Sequence, residues 1–206
     1  MSAQPLVTIF APYGAGGSRV GPLLAEQLEV PFAERIMRRP VADRVAGPLA
    51  QARQERQPVG RSLGRMLRQI AKEHPPAPIT ERAEQIADDE YRRAHEQELR
   101  GFVDEGAVIL GRAAAVVLRD VSHAVHVRLS GPAELRVQQA MKIEDVDHVT
   151  ARWRQVTEDL ARDAYVRHFY GLDPEDAALY HLTIDSTRLS LEACVASIAA
   201  AARSVT

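Results

Sequence analysis

Short apolar runs alternating with helix-length segments predict an α/β fold with a central parallel sheet of about five strands. Three observations carry that expectation. Leu6 to Phe10 is a run with β-branched Val7, Thr8 and Ile9 that enters a glycine cluster and then helix-compatible sequence. Ala107 to Leu110 and Ala124 to Leu129 are nearly continuous apolar runs, as expected of strands buried on both faces of a parallel sheet. Helix-compatible sequence follows the first of these runs and the last. With 206 residues, one domain with an insertion is favoured over two domains.

Taken in order, Leu6 to Phe10 is the first strand, and Arg19 to Leu28 is a helix. Val30-Pro31-Phe32 is a short second strand that its proline confines to a strand start or an edge. Glu34 to Lys72 reads as two or three short helices, broken near Gly47-Pro48 and Pro58-Val59-Gly60 and ended by His74-Pro75-Pro76-Ala77-Pro78. Thr80 caps a long helix in which Ala83, Ile86, Ala87, Ala94, Leu99, Phe102 and Val103 recur, and Gly106 ends it. After the strand Ala107 to Leu110 comes Gly111-Arg112. Gly131-Pro132 opens a helix to Met141, and a second runs from about Val146 to Tyr170 before Gly171 and Pro174 break it. His181 to Asp185 is the last strand, and Ser190 caps a closing helix whose stripe is Leu191, Cys194, Val195 and Ile198.

Composition narrows the classes of function. Hydrophobic residues make up 46% and charged residues 26%, an ordinary globular balance. A net charge of -2 exerts no global pull on nucleic acid. Arg35 to Lys72 carries ten basic and two acidic residues, but it lacks the interleaved aromatics of a nucleic-acid surface, so nucleic acid is a disfavoured partner. A run of 18 apolar residues and an export signal are both absent from the sequence, which points to a cytoplasmic protein without a membrane partner. The single Cys194 reads as core. Only Lys72 and Lys142 are lysines; the other 24 basic residues are arginines.

The chemistry-bearing element is Tyr13-Gly14-Ala15-Gly16-Gly17-Ser18, followed by Arg19. A glycine loop between a buried strand and a helix offers unpaired amides and the positive end of a helix dipole to an anion, and it also serves elsewhere as a plain tight turn. Against the phosphate-loop pattern GxxxxGK[ST], Gly16 matches the second glycine and Ser18 the magnesium-coordinating hydroxyl. Ala11 replaces the first glycine, and Gly17 stands where the lysine should be. A dinucleotide-binding G-x-G-x-x-G fails because its third glycine falls on Arg19.

Several segments in order resemble the cytidylate-kinase-like family of the P-loop nucleoside monophosphate kinases, over nearly the whole chain. Tyr13-Gly-Ala-Gly-Gly17 resembles that family's YGSGG loop, and Leu28-Glu-Val-Pro-Phe-Ala-Glu34 is similar to its LGIPFYD segment. Val108-Ile-Leu-Gly-Arg112 resembles its VI-x-GR strand end. Asp159-Leu-Ala-Arg162 with Tyr165 and Phe169-Tyr-Gly171 resembles its lid, and Leu179 to Ser186 its LYDLVINT strand. The resemblance implies a three-layer P-loop kinase-like domain over 1–206, with a helical acceptor-binding insertion at 35–105 and a lid-like segment at 142–173.

It also implies roles. Gly14, Ala15, Gly16, Gly17, Ser18 and Arg19 would hold ATP, with Ser18 on Mg²⁺. Arg112 would clamp the acceptor phosphate, with Glu34 and Asp185 near the acceptor nucleotide. Arg162 and Arg167 would close over the transferring phosphoryl group, and Asp159 would orient Arg162. Two departures stand out. Ala11-Pro12 replaces a charged Arg-Glu pair before the loop tyrosine, and Leu110 to Ala113 lacks the acidic residues often found beside the Gly-Arg pair. Two functions follow: ATP-dependent phosphoryl transfer to a CMP-like nucleoside monophosphate, or a catalytically weak nucleotide-binding regulatory protein. Nucleotides are the expected partners, and a homodimer is left open.

Overall fold

The computed structural model describes residues 4–34, 81–111 and 113–205. The basic stretch, the proline linker, Thr80 and Arg112 lie outside the described residues. The strands are β1 (Leu6–Phe10), β2 (Phe32–Glu34), β3 (Ala107–Leu110), β4 (Ala124–Ser130) and β5 (Leu182–Asp185). The helices are α1 (Gly17–Leu28), α2 (Glu81–Arg100), α3 (Ala114–Val117), α4 (Ala133–Glu144), α5 (His148–Tyr170) and α6 (Leu191–Ser204).

All five strands are parallel in the order β2-β3-β1-β4-β5. β1 is central, with Leu6, Val7 and Ile9 fully buried. Alternation along the strands divides the core. Val7, Ile9, Val108, Val127 and Leu129 pack with Val20 and Leu24 of α1 and Cys194 and Ile198 of α6. On the other face Leu6, Ala107, Ile109 and Ala124 meet Leu99 of α2 and Ala114 and Val117 of α3. Polar residues are buried on this second side too: Thr8 Oγ1 lies 2.8 Å from His126 Nδ1, and the His126 amide donates to His181 Nδ1 at 3.0 Å. Burial pushes His126 down to about 4, so its imidazole is neutral near pH 7.

The five strands and the helices α1, α2, α4, α5 and α6 are those the sequence predicts, with local shifts that have physical causes, whereas the short helices expected within Glu34 to Lys72 lie outside the described residues. β2 starts at Phe32, after Pro31, whose carbonyl accepts from Val108 while its ring nitrogen has no hydrogen to donate. α1 begins at Gly17 because Gly16, at φ 76, turns the chain directly into the helix. Asp147 caps α5 through the Thr150 amide, and Ser190 caps α6 through the Ala193 amide. The four-residue α3 has no signal in the sequence, since its run Ala113 to Leu118 is too short to show a helical period. Among the described residues no helix is long and apolar enough to cross a membrane.

Candidate functional site

The loop sits where β1 ends and α1 begins, at the centre of the carboxyl edge, where open α/β sheets hold ligands. Gly111 lies at the same edge: Ile9 is in register with Leu110, and the Gly111 amide donates to Ile9 O at 2.8 Å. Both segments expected to flank the ligand therefore lie side by side, although the Arg112 side chain lies outside the described residues.

The loop carbonyls are held from behind. Arg136 Nη1 donates to Tyr13 O at 2.6 Å, Gln139 Nε2 to Gly14 O at 3.0 Å and Ser186 Oγ to Ala15 O at 2.8 Å. The Arg19 and Val20 amides donate to Gly16 O, which leaves those of Gly17 and Ser18 as the first-turn amides without a backbone acceptor. There is no acidic residue in that first turn to neutralise the dipole. Ser18 and Arg19 are exposed, whereas Ala15, Gly16 and Gly17 are buried. This is an anion cradle of backbone N–H groups with one hydroxyl beside it.

The geometry also explains the missing lysine. A Cβ on Gly17 would lie 2.7 Å from the Ala11 Cβ and 2.9 Å from Leu110 Cδ1, so Ala11 and Leu110 close the direction a side chain would take. Gly14 is equally constrained: at φ 75, its Cβ would lie 2.1 Å from the Arg136 carbonyl oxygen.

Asp159 holds the loop more than it holds Arg162. Its Oδ1 accepts from the Tyr13 amide at 2.7 Å, and its Oδ2 from Arg136 at 2.9 Å and Gln155 at 3.0 Å. Arg162 approaches it only to 3.9 Å and bonds Glu158 at 2.8 Å instead. The expected role of Asp159 in orienting Arg162 is thus secondary to a positioning role at the loop. Tyr13 adds a further tie, its hydroxyl donating to Glu144 at 2.8 Å, and Arg154 joins the same carboxylate at 2.6 Å. Burial, followed by the Glu144 hydrogen bond and charge, pushes the Tyr13 hydroxyl up to about 12.

Arg162 Nη1 is buried without a hydrogen-bond partner, so part of this guanidinium keeps unused donor capacity. Arg167 is exposed and pairs with Asp173 at 3.0 Å. The two carboxylates expected near one acceptor are separated. Glu34 ends β2 at one sheet edge and Asp185 ends β5 at the other, with three strands between them, about 19 Å at the usual strand spacing. Asp185 Oδ1 accepts from the Thr187 hydroxyl and amide, and these bonds hold its carboxyl below the usual range. It therefore belongs beside Ser186 and the loop, on the side of β1 away from Glu34.

Sequence reading missed Arg136, Gln139 and Ser186 as the residues that hold the loop. Arg136 alone left a signal: an arginine in the apolar stripe with Val137 and Ala140, where a charge must find a buried partner. A small, mostly apolar pocket of about 10 Å³, room for a single water, is lined by Phe10, Gly111, Ala114, Val166, Pro174 and Tyr180 beside the ends of β1 and β3.

Known proteins resemble this chain in sequence and in fold. A cytidylate kinase from Methanopyrus kandleri is 33% identical over 100 residues, covering 44% of this chain and 52% of that protein. The chain thus matches about half the length of that relative. The crystal structure of an uncharacterized protein from Eubacterium ventriosum superposes with a TM-score of 0.66 at 19% identity, covering 98% of this chain and 99% of that one, a likeness of fold. The sequence model of the cytidylate kinase-like family matches residues 6–188, and the chain belongs to that family.

Proposed function

We propose that this chain transfers the terminal phosphoryl group of ATP, taken as its Mg²⁺ complex, to a nucleoside monophosphate, with a CMP-like acceptor. The observation that carries this reading is the loop itself, whose carbonyls are drawn back by Arg136, Gln139 and Ser186 so that backbone amides face the carboxyl edge. Gly14 to Ser18 would hold the donor phosphates, and the exposed Ser18 hydroxyl would serve the metal ion. Among the described residues no cluster of three His, Cys, Asp or Glu side chains is placed to hold a metal, so Mg²⁺ would rest on Ser18 and the phosphates. When bound, it would neutralise phosphate charge. With Gly17 in the lysine position, arginines must supply the remaining cation. Arg162 would release Glu158 and meet charge that develops as the phosphoryl group moves. Arg112 would clamp the acceptor phosphate, with Glu34 beside it.

The second reading is a nucleotide-binding regulatory protein with little transfer activity. The closure of the Gly17 direction by Ala11 and Leu110 favours it, because no small adjustment admits a lysine there. Turnover against each nucleoside monophosphate, measured beside calorimetric ATP affinity at fixed Mg²⁺ and salt, separates the two. Under the kinase reading Arg162→Ala lowers turnover by about 10³-fold and leaves ATP affinity nearly unchanged, whereas Ser18→Ala weakens Mg-nucleotide binding as a whole. ATP binding without transfer to any monophosphate by the wild type establishes the regulatory reading instead.

A further inference from the structure

Arg128 lies near the carboxyl end of β4, in register with Phe10, the last residue of β1. Paired residues of parallel strands point to the same face, so Arg128 shares the face of Phe10, away from the core formed by Val127, Leu129, α1 and α6. Phe10 lines the pocket beside Gly111 and packs against Tyr180 at a ring distance of 6.0 Å. Arg128 also acts electrostatically on the Tyr180 hydroxyl. Its guanidinium thus lies on the same sheet face as that pocket and near Tyr180, outside the residues that line it.

The side chain is only 17% exposed, and its partner Glu175 is 66% exposed. Nη2 donates to Glu175 at 2.6 Å, while Nε is buried without a hydrogen-bond partner. A structural arginine–carboxylate pair gains most when two parallel N–H groups are used, and an enclosed N–H without an acceptor is costly. Glu175 follows Pro174, whose carbonyl accepts from Tyr180, and it faces Asp163 as well. Burial, then the charges of Asp159, Glu175 and Asp173, push the Asp163 carboxyl up, with Arg167 opposing them. Glu175 therefore has a second carboxylate near it as well as Arg128.

We propose that Arg128 is a second anion-binding residue that holds the acceptor's phosphate, and that Glu175 occupies its guanidinium until that phosphate displaces it. The assignment of the phosphate to an acceptor rests on the kinase reading above. A phosphate offers oxygens to Nε and Nη2 together, which the single Glu175 contact does not.

The test is calorimetric titration of the full chain with CMP, cytidine, inorganic phosphate and ATP, for wild type, Arg128→Gln, Glu175→Gln and the double variant. Arg128→Gln is expected to weaken CMP and phosphate binding about tenfold or more and to leave cytidine and ATP within about twofold. Glu175→Gln is expected to tighten CMP about threefold through loss of the competing charge, and the double variant to behave like Arg128→Gln. An unchanged CMP affinity in Arg128→Gln, or weaker CMP binding in Glu175→Gln, overturns the proposal whether or not the protein is a kinase. Lack of binding of both CMP and phosphate by the wild type overturns it as well. Phosphate binding that depends on Arg128, with no nucleoside monophosphate bound, keeps the anion site and removes the kinase reading. Glu175 is exposed, so its variant decides the matter even if Arg128→Gln fails to fold.

Discussion

The two sides of the carboxyl edge are built differently. Around the phosphate loop, Arg136 and Gln139 of α4 and Ser186 after β5 fix three successive carbonyls, and Asp159 joins Arg136, Gln155 and the Tyr13 amide in one network. Around the expected acceptor side, the charges are held by pairs whose carboxylate is exposed or half-exposed: Arg162 with Glu158, Arg167 with Asp173, and the largely enclosed Arg128 with Glu175. A buried, fully bonded network sets one geometry, and an exposed pair exchanges partners at low cost. The difference teaches that the loop backbone is preorganised, whereas the arginines that would act under the kinase reading are paired with carboxylates in looser contacts.

The same alanine placed on each side tests the contrast most severely. In Gly14→Ala the new methyl would lie 2.1 Å from the Arg136 carbonyl oxygen, a backbone atom that moves only with α4. The variant is expected to lose about 3 kcal/mol or more. Gly111 has a similar positive φ of 81, but nothing lies within 4 Å of its added Cβ among the described residues. Gly111→Ala then costs only the left-handed conformation, about 1 kcal/mol. Urea unfolding of both proteins reads the difference; equal losses would mean that the loop is no tighter than the β3 edge.

How much of this was legible in the sequence follows the range of the interactions. β1, β3 and the Ser190 cap were readable because continuous apolar runs and a capping hydroxyl are local signals. The placement of the loop beside Gly111 followed from strand-helix alternation and parallel pairing. The network was not readable, because Tyr13 and Asp159 are 146 residues apart and Ser186 and Ala15 are 171 apart. Nothing local marks which arginine will reach which carbonyl. Asp159 and Arg162 illustrate the limit: three-residue spacing places them on one helix face, yet the shorter bonds of Asp159 go elsewhere. Similarly, Glu34 and Asp185 both end strands, and only the strand order separates them.

A middle-sized effect is expected from breaking one ion pair on each side. Asp159→Asn keeps the shape but leaves Arg136, whose side chain is 10% exposed, facing an amide in place of a carboxylate. Because an enclosed charge loses its partner, the expected loss is about 2 to 3 kcal/mol, reduced from the fully buried case by the partial exposure of Asp159. Asp173→Asn removes the partner of Arg167 at a site where both side chains are more than half exposed, and it should change stability by less than about 0.5 kcal/mol. Paired denaturation midpoints check both, and comparable shifts would show that the loop network is not the preorganised part.

The smallest expected effect on stability carries the most information about transfer. Glu158 and Arg162 form an i,i+4 pair on α5 at 2.8 Å, with side chains 42% and 35% exposed. Such a pair is worth about 0.3 to 0.5 kcal/mol, so Glu158→Gln should shift the unfolding midpoint only slightly. Its effect on rate depends on what Arg162 does. If Arg162 is stored on Glu158 and moves to the phosphoryl group, the variant lowers the cost of that exchange, and turnover should rise about twofold while ATP affinity stays level. A carboxylate that orients Arg162 productively would give the reverse, a fall in turnover on its removal. A fall therefore contradicts storage by Glu158 while leaving a catalytic Arg162 intact. Asp159 is the weaker store, since it lies 3.9 Å from Arg162 and its shorter bonds go to Tyr13, Arg136 and Gln155. The Glu158 variant thus measures directly whether the loosely held side of the site is loose for the sake of exchange.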